Sequence, residues 1–405
     1  MKKILYIVTA LDAGGEEGFL LDIFPLLSKQ FDHVVCPLIH AGEFYPDNQK
    51  IKLENSKNNP FWLWLFKSKT WLAKMLKPAF WIYYVLRINH ILKNEKPDAV
   101  ITCTPDSSFS LSMHELFTFG RRKKYTWYYR IGTHFYPSGY LPPFFRNNMT
   151  RSLMEKPMTK IGTYLMKLRI KQADQFIVVN KALKQELIAS HNINTKNIFH
   201  LPVSFKNKPV NTQKSIATNT SFIFDTNKHY FIAAGRLKYV KGFDFLINAI
   251  APLLKERQDI MLIILGDGPE KSRLEKQVKQ LNLEEKILLP GFFPYPTKLI
   301  QNPIAYIVPS RSEGFGKLII EAMNTHSIVI ASNCSGPTEI IKDNIDGALF
   351  EREDCLSLRQ VVKKILAMPD DQVTLMKENA YQKSLLFTTE NITQQLNTKL
   401  ESDLL

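Results

Sequence analysis

Cysteine is scarce in this chain, with four in 405 residues, and Cys36, Cys103, Cys334 and Cys355 are scattered. None forms a CxxC pair or stands beside histidines at metal-ligand spacing. That excludes a disulfide-built scaffold and a zinc module, and we expect four reduced core thiols in a cytosolic protein. Long apolar runs are also missing. No stretch reaches the ~18 uncharged residues that a membrane-spanning helix needs. The opening "MKKILYIVTALDAGG" imitates a secretion signal, with lysines before an apolar run. Asp12 ends that run early and glycines follow, so a buried first strand entering a Gly-rich loop explains it better. There is no low-complexity tract and no repeat at solenoid periods.

Acidic residues are in deficit, but unevenly. The net charge is +15. Residues 1–200 carry about 28 Lys+Arg against about 15 Asp+Glu, whereas the remainder is nearly balanced. A basic first half suits an anionic partner such as membrane lipid, a phosphorylated substrate or nucleic acid, and equally suits plain solubility. Nucleic acid has only the charge in its favour, because no recognised nucleic-acid motif accompanies it.

What is present is a twice-repeated α/β pattern. "KILYIVTA", "HVVCPLI", "DAVITCTP", "TWYYRIGTH" and "DQFIVVN" read as buried parallel strands separated by helix-length segments. Residues 204–228 are a polar break containing Pro209. The pattern then restarts with "HYFIAAG", "IMLIILGDG", "IAYIVPS" and "SIVIAS". A chain of this length exceeds one ordinary core. We therefore expect α/β architecture with two Rossmann-like doubly wound domains facing across a cleft. The first covers residues 1–205 and binds the acceptor. The second covers 206–388 and binds the donor. A last helix, about 389–405, packs back on the first. In open α/β sheets, ligands bind at the C-terminal ends of the strands.

Several stretches could carry chemistry. In "AAGRLKYVKGFD", Arg236 and Lys241 straddle a loop between a strand and a helix, an arrangement suited to a diphosphate; both could instead be solvated loop cations. "ILGDGPE" is a weak signal that ordinary turn chemistry explains. "PSRSEGFGKLIIEAM" is sharper. It spaces Glu313 and Glu321 eight apart, on either side of Phe315 and Gly316. The two glutamates could be acid and base, metal ligands, solvated charges or hydroxyl receptors. Glu321 lies in a mainly apolar helix, where a carboxylate needs partners. "SGPTEII" offers a further turn and helix start.

"GRLKYVKG", "GDGP", "PSRSEGFGKLIIEAM", "SGPTEII" and "DGALF" occur in an order that resembles the C-terminal domain of retaining glycosyltransferases of family 4, which have the GT-B fold. The resemblance is dense from Tyr230 to Phe350. It implies that Arg236 and Lys241 hold a donor diphosphate, that Glu321 binds the nucleotide ribose, and that Glu313 contacts the transferred sugar at the reacting centre. It also implies that the backbone at Phe315 and Gly316 approaches that sugar. The first half is looser. "AGGEE" resembles the family's Gly-Gly loop and places Gly14 and Gly15 near the donor phosphates. "YYRIGTH" makes His134 a catalytic candidate, although a structural histidine fits as well. Asn180 stands where serine is commoner in the family.

The implied activity is transfer of a sugar, with retention, from a nucleotide-diphosphate-sugar (UDP-sugar favoured) to a saccharide or lipid-linked saccharide. The expected setting is bacterial cell-surface polysaccharide or lipopolysaccharide synthesis. No cofactor or nucleic-acid partner is expected. No metal is expected either, because no DxD-like pair stands at a strand end and cations already answer the phosphates. The alternatives are a non-catalytic GT-B partner binding a nucleotide-sugar or lipid, and another GT-B enzyme such as a sugar-nucleotide epimerase or phosphorylase.

The segment 59–93 is unusually aromatic and basic. At helical spacing Lys67, Lys74 and Lys77 share one arc, and Trp71 lies on the other. That suits a helix at an anionic membrane surface on the inner leaflet, or an amphipathic helix packed on its own domain. "GRRKK", from Gly120 to Lys124, adds charge to the same domain.

Overall fold

The computed structural model describes residues 1–9, 15–38, 52–53, 71–118, 123–132, 155–206, 228–293, 296–298 and 303–405; for 15–17, 52–53, 71–81, 155–163 and 298 only the backbone is described. The chain divides into two compact units. One comprises Met1–Pro202 with Glu390–Leu405, and the other Val203–Thr389. The polar break at 204–228 lies largely outside the described residues.

In the first unit seven strands form one parallel sheet in the order β3-β2-β1-β4-β5-β6-β7. They are β1 (Lys2–Val8), β2 (Phe31–Pro37), β3 (Lys52–Leu53), β4 (Ala99–Thr102), β5 (Thr126–Ile131), β6 (Gln175–Val178) and β7 (Ile198–His200). Ile4, Leu5, Tyr6, Ile7 and Val8 are all buried, as a strand covered on both faces requires. Helix α1 (Gly15–Ile23) stops before Pro25, and the chain tightens into a 3-10 turn at Phe24–Leu26. Proline supplies no N–H to continue an α-helix, which is why the helical spacing of "FLLDIFPLLSKQ" is not followed to its end. The unit continues with α2 (Trp71–Glu95), α3 (Pro105–Phe117), α4 (Glu155–Gln172) and α5 (Lys181–His191).

The last helix, called α12 here (Thr389–Leu404), belongs almost wholly to this first unit. Ile392, Leu396, Leu400 and Leu404 recur every four residues and are all buried. The Tyr128 hydroxyl donates to Asp403 at 2.7 Å, and the Ser28 amide donates to Asn397 at 2.9 Å.

The second unit has six parallel strands in the order β10-β9-β8-β11-β12-β13. These are β8 (His229–Ala234), β9 (Ile260–Leu265), β10 (Ile287–Gly291), β11 (Ala305–Val308), β12 (Val329–Ser332) and β13 (Ala348–Phe350). Its helices are α6 (Phe243–Glu256), α7 (Lys271–Gln280), α8 (Lys317–Asn324), α9 (Pro337–Ile340), α10 (Cys355–Leu366) and α11 (Asp370–Ser384). The core gathers β8, β9 and β11 with the apolar face of α6, including Leu246, Ile247, Ile250 and Leu254. The stretches of chain that lead into and out of this unit are tied together. The Phe205 amide donates to the Phe387 carbonyl at 3.1 Å, and the Thr389 amide donates to the Phe205 carbonyl at 3.1 Å.

All four cysteines are free thiols, but only Cys36, Cys103 and Cys334 are buried. Cys355, expected in a core, is half-buried because it opens α10. Both sheets begin in the centre, grow outward on one side and then cross to the other. This 3-2-1-4-5-6 order places a topological switch point beside the first strand of each unit.

Candidate active site

In the second unit the switch point lies between β8 and β11, and the two loops that leave it carry most of the expected site. The loop after β8 runs from Gly235 to Gly242. Leu237 anchors it, fully buried, with its amide donating to the Asp267 carbonyl at 2.8 Å. A Cβ on Gly266 would lie 1.9 Å from the Gly235 carbonyl oxygen, and one on Gly268 would lie 2.5 Å from that of Leu237. The "GDGP" glycines are therefore required by the neighbouring strand-exit loop as well as by their own turn.

Anchored in this way, Arg236 projects from the loop. It is exposed, and no described residue pairs with its guanidinium. Lys241 ends a 3-10 turn (Tyr239–Lys241), after which Gly242 adopts φ +69°. At that glycine a Cβ would meet the Pro309 carbonyl oxygen at 2.0 Å, so the two switch-point loops touch through their backbones.

Across this contact the Lys241 ammonium lies 2.5 Å from Glu313 Oε2, which also accepts from the Ser310 hydroxyl at 3.2 Å. The Glu313 side chain is 16% exposed. From below, its carbonyl oxygen accepts the Gly336 amide at 3.2 Å and the Ser335 hydroxyl at 3.3 Å. The "SGPTE" turn thus supports the glutamate rather than standing as a separate site. Its Gly336 has no room for a side chain, since a Cβ would sit 2.5 Å from the Phe315 carbonyl oxygen.

Phe315 itself is buried and packs edge-on against Phe387, with centroids 5.6 Å apart. Gly316, at φ +104°, turns the chain into α8. Glu321 then falls on α8 opposite its buried residues Ile319, Ile320, Ala322 and Met323. It stands one-third exposed and 3.9 Å from Lys317. The helix is amphipathic, and Glu321 lies on its open side at little desolvation cost.

Sequence reasoning missed Arg311 and Asp244, although both stand inside quoted motifs. The Arg311 guanidinium donates from Nη1 to Asp244 Oδ1 at 2.7 Å and from Nη2 to Oδ2 at 3.2 Å. It also donates to the Tyr239 carbonyl at 2.7 Å and to Glu353 at 2.7 Å. Its plane lies 3.9 Å from the Tyr239 ring centre. Asp244 further meets Arg273 at 3.1 Å. Burial pushes the Asp244 carboxyl upward, but hydrogen bonds from Arg311 and Arg273 outweigh it and hold the group below the usual carboxylate range. A usable signal was available in the sequence: an arginine between a strand end and a glutamate, opposite an aspartate in the first turn of a helix.

The first unit's switch point lies between β1 and β4. Its described residues form a buried hydroxyl cluster, with Thr9 and Thr104 hydroxyls 2.7 Å apart. Thr104 caps α3 in a reciprocal box with Ser107. Gly15 opens α1, while Gly14, His134 and Lys67 lie outside the described residues. Trp71, Lys74 and Lys77 fall on α2, where only the backbone is described. Four places before His134, Arg130 on β5 is wholly buried, 4.1 Å over the Phe19 ring, and burial lowers its pKa to about 9. Among the described residues no group of three or more His, Cys, Asp or Glu could hold a metal ion.

Two Rossmann-type units in one chain are the GT-B architecture, and at the switch point of the second Lys241 faces the Glu313 carboxylate. The family model described as glycosyl transferases group 1 matches residues 217–383, which lie within the second unit. Among curated relatives, an uncharacterised glycosyltransferase of Methanocaldococcus jannaschii is 28% identical over 320 residues, covering 74% of this chain and 70% of the relative. A second is the N-acetylgalactosamine-N,N'-diacetylbacillosaminyl-diphospho-undecaprenol 4-alpha-N-acetylgalactosaminyltransferase of Campylobacter jejuni. It is 26% identical over 383 residues, covering 94% of this chain and 93% of the relative. Among solved structures, Anabaena HepE in complex with UDP and glucose shares the fold with a TM-score of 0.72 and 17% identity, over 99% of this chain and all of that one.

Proposed function

We propose that the protein is a retaining glycosyltransferase that moves a sugar from a nucleotide-diphosphate-sugar to a hydroxyl of a saccharide or lipid-linked saccharide in cell-surface glycan synthesis. The observation that carries this reading is the switch point of the second unit. There Lys241 meets the Glu313 carboxylate of the other loop at 2.5 Å, and Arg236 stands exposed on the same loop as Lys241. A diphosphate answers the cations, and a sugar hydroxyl answers the carboxylate. Glu321, eight residues after Glu313 and on the open side of α8, would receive a ribose diol. The named acceptor of the Campylobacter relative supports a lipid-linked acceptor, and the UDP held by the Anabaena structure supports a UDP-sugar donor.

Cleavage of the bond between sugar and diphosphate develops negative charge on the leaving phosphate and positive charge on the sugar carbon. Lys241 and Arg236, on the one loop, would supply the positive charge that answers it. Retention follows if the acceptor hydroxyl attacks the same face that the phosphate leaves, with a phosphate oxygen taking the hydroxyl proton. No protein nucleophile is then required. Two cations supply the neutralisation that a divalent metal otherwise provides. On the family resemblance, Gly14 and Gly15 serve the donor phosphates and His134 the reacting centre.

A second reading concerns the surface of the first unit. Ile82 and Leu86 on α2 are 66% and 62% exposed, and Phe117 on the adjacent α3 is 63% exposed. Lys93, Lys96 and Lys124 are also exposed. Apolar side chains among exposed lysines suit peripheral attachment to an anionic membrane, where a lipid-linked acceptor resides. Among the described residues no helix is long and apolar enough to cross a membrane.

The test is a panel of UDP-, GDP- and ADP-sugars followed by thermal shift and by release of free nucleotide diphosphate. One nucleotide class should raise the melting temperature and be turned over. No shift with any of them overturns the reading.

A further inference from the structure

We propose that Arg311 is the positioning residue that sets Lys241 against Glu313, and so tunes the site for a diphosphate without touching it. The inference rests on the donor-site reading above. Its structural ground is separate. Arg311 leaves β11 two residues before Glu313, on the same loop. Its backbone amide donates to the Val240 carbonyl at 2.8 Å. Its guanidinium grips the Lys241 turn on both sides, at the Tyr239 carbonyl two residues earlier and at the Asp244 carboxylate three residues later.

Each end of this clamp is held in turn. Asp244 sits in the first turn of α6, and Glu353 takes the remaining guanidinium edge at Nε. The Arg352 guanidinium donates to the Arg311 carbonyl at 3.2 Å. With four of its five N–H donors engaged by two carboxylates and a carbonyl, and its face covered by Tyr239, Arg311 keeps no free two-donor edge for a phosphate. Its side chain is 14% exposed, against 28% for Lys241. Arg236 and Lys241 are the cations available to a ligand, and Arg311 fixes where one of them stands. A lysine at 311 would be a point charge, able to satisfy Asp244 but unable to span Tyr239 and Glu353 at once.

The clamp makes a specific claim about coupling. If Arg311 acts through Lys241, the two substitutions are not additive. UDP binding is measured by calorimetry on the whole protein for wild type, Lys241→Ala, Arg311→Met and the double variant, well below each melting temperature. Lys241→Ala is expected to weaken UDP at least tenfold in the wild-type background and less than threefold in the Arg311→Met background. Arg311→Lys is expected to fall between wild type and Arg311→Met, and it carries the same cycle if Arg311→Met does not fold. A merely stabilising Arg311 would lower the melting temperature but leave the tenfold effect of Lys241→Ala intact, and that result overturns the inference. If wild type binds none of UDP, GDP and ADP, the donor-site reading fails and this inference fails with it. If wild type binds GDP or ADP instead, the cycle is run with that nucleotide.

Discussion

The Lys241 ammonium and the Glu313 carboxylate, 72 residues apart in sequence, lie 2.5 Å apart across the switch point of the second unit. The side chains are 28% and 16% exposed, so water still reaches and weakens the pair. A diphosphate can therefore draw the lysine away and leave the carboxylate for a sugar hydroxyl. On the proposed donor reading, the two charges hold each other's place until a donor arrives.

A clean division of labour follows. Glu313→Gln keeps the shape and removes a negative charge near the donor phosphates. UDP should bind with unchanged or up to about threefold higher affinity, because a like charge has been removed. Turnover should fall at least about a hundredfold, because an interaction with the reacting sugar is lost. Calorimetry and a nucleotide-release assay on one preparation check both halves. Equal loss in binding and turnover would place Glu313 on the diphosphate instead.

Backbone contact between the two loops leaves Gly242 no substitute. Alanine there faces both a left-handed φ of +69° and a carbonyl oxygen 2.0 Å from its Cβ. We expect Gly242→Ala to cost about 2–4 kcal/mol, or roughly 5–10 °C of melting temperature. Gly18 in α1 is the contrast, since nothing lies within 4 Å of its Cβ position. Gly18→Ala should be neutral or stabilise by up to about 1 kcal/mol. Thermal unfolding by circular dichroism measures both.

Acid should loosen the clamp in a defined direction. The Asp244 carboxyl has a lower pKa folded than unfolded. Its contribution is thus fully present above the unfolded value near ~3.9 and is lost as pH falls through the folded value. Urea denaturation at a series of pH values should show wild-type stability declining below about pH 4. Asp244→Asn should be less stable at pH 7 and decline less steeply below pH 4. Parallel curves for the two proteins would remove Asp244 from the pH dependence.

At the first unit, co-sedimentation with vesicles containing anionic lipid should depend on both charge and apolar contact. Replacing Lys67, Lys74 and Lys77 with Glu, or Ile82, Leu86 and Phe117 with Ser, should each reduce the bound fraction several-fold. Neutral vesicles should bind less well throughout. Unaltered co-sedimentation of the lysine variant would end the membrane reading.

The two parallel sheets were legible because buried parallel strands are nearly continuous apolar runs, and "KILYIVTA" and "IMLIIL" are such runs. The spaced motifs of the second half were legible because each sits at a strand end. What could not be read was how the loops meet. That Gly242 touches Pro309, or that Gly268 touches Leu237, depends on the registry of neighbouring strands far apart in sequence. Glu321 was placed in an apolar setting because the linear string "KLIIEAM" hides which face of the helix it occupies. Arg311 passed unnoticed because its partners, Tyr239, Asp244 and Glu353, are brought together only by the sheet order β8-β11-β12-β13.

The central claim is that Arg236 and Glu321 of the second unit hold the two ends of a nucleotide diphosphate. It is tested most directly by titrating the nucleotide-sugar selected in the thermal-shift panel into wild type, Arg236→Ala and Glu321→Ala. The account predicts saturable one-to-one binding to wild type, weakened at least about tenfold by either substitution. Wild-type affinity in both variants would contradict it.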